Sequence, residues 1–125
     1  MVLGIHHISM KCGTKDAYDR TADFYRNVLG LTVRREWEAG MMLDTGAGLL
    51  EIFNNQAGAP GPGVVGHFAM ATDDVDALVR RIRAAGYEVF VEPKDIAIPS
   101  DPPYPARIAF CIGPMGEEIE LFQER

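Results

Sequence analysis

Apolar positions along the chain recur in two rhythms, and the order of those rhythms occurs twice. Gly4–Cys12 carries Ile5, Ile8 and Met10 in a short apolar run, which predicts a strand. Asp16 then offers an N-cap, and Tyr18, Ala22, Tyr25, Val28 and Leu29 recur at helical spacing until Gly30 supplies a stop. Strands are predicted next over Leu31–Glu38, Met41–Asp44 and Gly48–Phe53, separated by glycine turns at Ala39-Gly40 and Thr45–Gly48.

The second half repeats the order. Val64–Ala71 reads as a strand, Asp73 or Asp74 as a cap, and Val75, Leu78, Val79, Ile82 and Ala85 as a helical stripe stopped by Gly86. Tyr87–Glu92, Ala106–Ile112 and Glu117–Phe122 follow as strands, with Ile98–Pro105 as a proline-rich connection. Each half is therefore β-α-β-β-β. The expected class is α+β: two βαβββ modules whose sheets pair around a shared cleft. The expected layout is one domain over residues 1–125, with module one at 1–54, a connector at 55–63 and module two at 64–125.

Composition narrows the partners. A length of 125 residues suffices for one hydrophobic core, and a formal net charge of −6 argues against a nucleic-acid partner. No apolar run approaches membrane-spanning length, and the N-terminus lacks the basic start and apolar stretch of a secretion signal. The expectation is a cytoplasmic protein with no membrane association. Cys12 and Cys111 lie in separate apolar runs without metal or redox spacing, so buried reduced thiols are expected.

Strand alternation brings in chemistry. The chain has only three histidines, His6, His7 and His67. His7 opens repeat one and His67 opens repeat two, while LEIF (Leu50–Phe53) and IELF (Ile119–Phe122) close them with Glu51 and Glu120. Glu51 follows His7 by 44 residues and Glu120 follows His67 by 53. Side chains on a strand alternate between faces, so His7, Ser9 and Lys11 oppose Ile8, Met10 and Cys12. Glu51 and Phe53 likewise oppose Leu50 and Ile52, and Glu120 and Phe122 oppose Ile119 and Leu121. The aliphatic faces suit helices, leaving two His and two Glu on the other side. Taken singly, each residue is an ordinary hydrogen-bonded or solvent-facing side chain. As matched pairs they suit a borderline divalent ion such as zinc, nickel, cobalt, manganese or iron, which would compensate a poorly hydrated carboxylate. Trp37, Met41, Met42, Phe53 and Phe122 are candidates for an apolar substrate wall, with Phe53 and Phe122 sharing the parity of the donors.

The stretches IHHISMKC, ADFYRNVLGLTVRRE, LLEIF, GHFAMATDDVDALVRRIRAAG and RIAFCIGPMGEEIELF resemble glyoxalase I and the wider vicinal oxygen chelate family. Phe24–Leu31 is similar to that family's FYxxVLGL signature. The resemblance implies paired βαβββ modules around a metal, with His7, Glu51, His67 and Glu120 as ligands. It implies one divalent ion per site, nickel, cobalt or zinc ahead of manganese or iron. It also implies a lyase or isomerase acting on the hemithioacetal of a 2-oxoaldehyde and a thiol through an enediolate, with Glu120 as the base and Glu51 as its counterpart. Lys11 and Asn55 fall where glyoxalase I carries an Arg and an Asn for a glutathione thiol substrate, and a homodimer is implied. His6 is the competing first ligand, and the resemblance favours His7. Other activities in the same family are acyl-CoA epimerase, extradiol dioxygenase and bleomycin-resistance-type drug binding.

Overall fold

In a computed structural model of the chain, residues 5–55, 60–63 and 65–125 are described. The strands form two mixed four-stranded sheets, one in each of two units, Met1–Ala59 and Pro60–Arg125. Among the described residues, no helix is long and apolar enough to cross a membrane.

The first unit runs β1 (His7–Lys11), α1 (Lys15–Asp23), a π-helical turn (Phe24–Val28), β2 (Thr32–Trp37), β3 (Gly40–Asp44) and β4 (Leu49–Phe53), with sheet order β1-β4-β3-β2. Thr14, rather than Asp16, caps α1, its hydroxyl accepting from the Ala17 N–H at 3.1 Å. The helix starts at Lys15, so a cap must stand one residue before it. Asp16 instead sits in the first turn, favourable to the helix dipole, and pairs with Arg20 at 3.0 Å.

The predicted helix does run to Gly30, but its second half widens. The Leu29 N–H donates to the Phe24 carbonyl, five residues back, at 3.0 Å. Phe24 and Tyr25 are adjacent and both fully buried, edge to face at 5.1 Å between ring centroids. The wider turn accompanies this burial of two neighbouring rings. Leu50 and Ile52 of β4 are also buried, facing Ala17, Tyr18, Thr21 and Ala22 of α1, and Cys12 Sγ lies 3.6 Å from Thr21 Oγ1.

The second unit runs β5 (Phe68–Ala71), α2 (Val75–Ala84), β6 (Val89–Ile98), β7 (Tyr104–Ile112) and β8 (Glu118–Glu124), with sheet order β5-β8-β7-β6. Of the two predicted caps Asp74 is used, accepting from the Ala77 N–H at 2.9 Å. α2 is tied to its sheet by a two-pronged Arg107–Asp76 pair at 2.6 and 2.8 Å, and by the Val75 N–H donating to Gln123 at 3.2 Å.

Two expectations are corrected here. The strand predicted to end at Glu92 continues to Ile98 through Pro93, which an edge strand accommodates at a bulge between Val91 and Lys94. The two ends of the predicted proline-rich connection are therefore ladder, with Ile98 opposite Tyr104 and Pro105 opposite Ala97, and residues 99–103 turn between them. The predicted strand starts at Gly4 and Val64 lie outside the described residues. Both cysteines are buried and neither is in a disulfide.

Candidate metal-donor pairs

In each unit the first and last strands run parallel, edge to edge. Ser9 lies opposite Glu51 and Lys11 opposite Phe53 on β1–β4, while Ala69 lies opposite Glu120 and Ala71 opposite Phe122 on β5–β8. Residues opposite one another in a ladder share a face. His7, Lys11, Glu51 and Phe53 therefore stand together on the face away from α1, as parity predicts. His67 lies one residue before β5 rather than within it, a correction that leaves its ring on the Glu120 side.

His7 Nε2 lies 3.5 Å from Glu51 Oε1, and His67 Nε2 lies 3.2 Å from Glu120 Oε2. The imidazole side chains are 37% and 47% exposed, the carboxylates only 10% and 13%. Each pair thus presents an open nitrogen beside a largely covered oxygen.

These separations suit shared coordination. Two ligands about 2.1 Å from one ion stand ~3.0 Å apart at a right angle and ~3.4 Å apart at a tetrahedral angle. An imidazole nitrogen beside a carboxylate oxygen is also a donor pair suited to a borderline divalent ion. The donor chemistry fits such an ion. Among the described residues no three His, Cys, Asp or Glu side chains gather into one cluster, and each unit holds one His–Glu pair.

The surroundings of the two pairs differ. His6, weighed above as the competing ligand, places its Nδ1 2.9 Å from Nδ1 of His7. In the second unit Gly66 precedes His67, whose ring packs edge to face on Phe110 at 5.1 Å, with Phe90 a further 5.6 Å along. Phe110 sits opposite Glu120 in the β7–β8 ladder and was not among the sequence candidates. Of the proposed apolar wall, Phe53 meets Trp37 edge to face at 5.9 Å, and Phe122 stacks on Tyr104 at 6.4 Å. Met42 lies opposite Glu51 and so joins the donor face, whereas Met41 lies opposite Ile52 on the helix side. Asn55 is exposed just beyond β4.

Two mixed sheets, each joining the first and last strands of a βαβββ module and carrying a His–Glu pair on the face away from its helix, define a duplicated-module protein. The chain belongs to the Glyoxalase/Bleomycin resistance protein/Dioxygenase superfamily, whose family model matches residues 4–121. Members of this superfamily commonly hold a divalent metal. The solved structure of SMU.1112c is similar at 25% identity, covering 98% of this chain and 99% of that one, with a TM-score of 0.77. A trypanothione-dependent glyoxalase I from Leishmania major is similar at 25% identity, covering 94% and 84%, with a TM-score of 0.71. A lactoylglutathione lyase from Agrobacterium tumefaciens shares the fold at 21% identity, covering 98% and 95%, with a TM-score of 0.69. No curated protein matches the chain in sequence.

Proposed function

We propose that the chain is a divalent-metal-dependent lyase of the glyoxalase I type, converting the hemithioacetal of a 2-oxoaldehyde and a thiol through an enediolate. The observation that carries this reading is the matched geometry of the pairs. His7 with Glu51 and His67 with Glu120 stand 3.5 and 3.2 Å apart at equivalent places in two modules. His7, Glu51, His67 and Glu120 are the proposed donors, for nickel, cobalt or zinc ahead of manganese or iron. When bound, the ion supplies Lewis acidity that makes the C–H beside the substrate oxygens more acidic.

The protein's own part is proton transfer and placement. Glu120 is the proposed base, taking a proton from one substrate carbon and returning it to the next. Its side chain is only 13% exposed, which limits competition from water for that proton. Glu51 is its counterpart in module one and acts as a donor. Lys11 shares the His7 face and offers a cation to a carboxylate on the thiol, with Asn55 beyond β4 as a polar contact. Lys lacks the flat two-pronged head of Arg, so carboxylate recognition there is less directional than an arginine would make it. Phe53 and Phe122 flank the donors with apolar surface. The reading extends to a cytoplasmic homodimer, in keeping with a superfamily that commonly forms dimers.

The test is thioester formation from methylglyoxal and glutathione, followed by ultraviolet absorbance after loading with Ni²⁺, Co²⁺ or Zn²⁺. Activity with at least one ion, abolished by Glu120→Gln, is the expected result. Substantial turnover by Glu120→Gln would remove Glu120 as the base. The aromatic rings beside both pairs favour a second reading, a module that binds a planar drug-like ligand without catalysis. Stoichiometric metal in the purified protein separates the first reading from the second.

A further inference from the structure

His6 and His7 meet through like atoms. Their Nδ1 nitrogens are 2.9 Å apart, with the rings edge to face at 5.2 Å and 84°. Two ring nitrogens at that distance share one proton, so one ring donates and the other accepts. The choice determines what His7 offers on its other side, because a neutral imidazole carries a single N–H. If His6 donates, the His7 proton sits on Nε2 and points toward Glu51. If His7 donates, its Nε2 is a bare lone pair.

The Nε2-to-Glu51 separation favours the second arrangement. At 3.5 Å it lies beyond the usual N–H···O range of about 2.7–3.2 Å, as expected of two electron-pair donors left for a third party. The backbone holds His6 in place for this contact, its carbonyl accepting from the Leu49 N–H at 3.0 Å. Gly48 permits that approach, since a Cβ there would come within 3.1 Å of the Ile5 carbonyl and Gly48 also has a positive φ of 132°. In the second unit Gly66 stands where His6 stands in the first, and the edge of Phe110 steadies the His67 ring instead.

We propose that His6 is a positioning residue that accepts the Nδ1–H of His7 and holds that ring in the tautomer with Nε2 free to bind a divalent cation. The proposal rests on the reading of His7 as a metal donor. Hydrogen-bond partners of this kind fix ring orientation, and their loss typically lowers metal affinity about 10–100-fold.

The test uses the full chain with His6→Phe, which keeps a ring but no acceptor, and His6→Asn, which keeps an acceptor oxygen. Long-range ¹H–¹⁵N NMR of the metal-free protein reads the His7 tautomer, and calorimetric Zn²⁺ titration reads affinity. The expected result is an Nδ1–H tautomer in the wild type, about 10–100-fold weaker Zn²⁺ binding in His6→Phe, and recovery of most of that loss in His6→Asn. A wild-type His7 protonated at Nε2, or unchanged Zn²⁺ affinity in His6→Phe, would overturn the role of His6 while leaving His7 a donor. A wild type that binds no Zn²⁺ overturns the donor reading and this proposal together, a result distinct from either of the others.

Discussion

Replacing Glu120 by Gln separates a metal donor from a structural ion-pair partner, because the two roles move stability in opposite directions. An unfolding entropy of about 2.1 cal/mol/K per residue over 125 residues gives about 0.26 kcal/mol of stability per degree near the midpoint. Free Zn²⁺ at 100 times its Kd stabilises a one-site protein by about 2.7 kcal/mol, which raises Tm by about 10 °C. Loss of one donor that weakens binding about 100-fold leaves roughly 0.4 kcal/mol at the same Zn²⁺ concentration, a shift under about 2 °C.

Without metal the direction reverses. Glu120 is 13% exposed and lies beside the His67 imidazole. A neutral amide is less costly to keep out of water than a carboxylate, so metal-free Glu120→Gln should melt at or above the wild-type temperature. Differential scanning calorimetry at pH 8 and fixed protein concentration, with and without Zn²⁺, measures all four values. The reasoning fails if Zn²⁺ leaves the wild-type Tm unmoved. It fails equally if metal-free Glu120→Gln loses more than about 4 °C, near 1 kcal/mol, since His67–Glu120 would then be a structural contact.

Leu121→Ala should cost about 3 kcal/mol in urea unfolding, because the fully buried side chain leaves a cavity beneath α2. Asp76 is held below the ordinary carboxylate range by its hydrogen bonds to Arg107, so its stabilisation is present above pH 3.8 and is lost as pH falls through its lower folded value. The stability gap between wild type and Asp76→Asn, followed by chemical unfolding against pH, should therefore close in acid; a gap that widened there would contradict the sign. Burial pushes the Cys111 thiol up to about 12, and Cys12 is fully buried, so neither should react with a thiol reagent at pH 8 until urea unfolds the chain.

Strand parity was legible because burial of one face makes a period of two visible. Leu50 and Ile52 had to oppose Glu51, and Ile119 and Leu121 had to oppose Glu120, whatever the sheets paired with. Cross-strand neighbours were not legible in that way. Trp37 joins the first donor face through a β2–β3 register that passes a bulge between Val33 and Arg35, while Met42 and Phe110 join through the β3–β4 and β7–β8 registers, opposite Glu51 and Glu120. A one-residue slip at any of these exchanges the faces, and no local composition marks it. The π turn is hidden for a related reason, since the helical spacing of Tyr18, Ala22 and Tyr25 holds in either winding. Pro93 misled in the opposite sense, because proline ends most strands but is admitted on an edge. The His6–His7 contact escaped parity because alternation over the predicted strand Gly4–Cys12 sets His6 and His7 on opposite faces, whereas the observed strand begins only at His7.

The parallel seam between the first and last strands of each unit carries an architectural freedom. Everything between a histidine and its glutamate is a detour that leaves and returns to the same edge. The second detour is longer than the first, and β6 and β7 absorb much of the difference as an extended hairpin ending at Ile98 and Tyr104. The His–Glu separations nevertheless agree to within 0.3 Å. The hairpin tip is therefore a natural place to graft a peptide or recognition loop: it can grow outward while the seam keeps its donors in register.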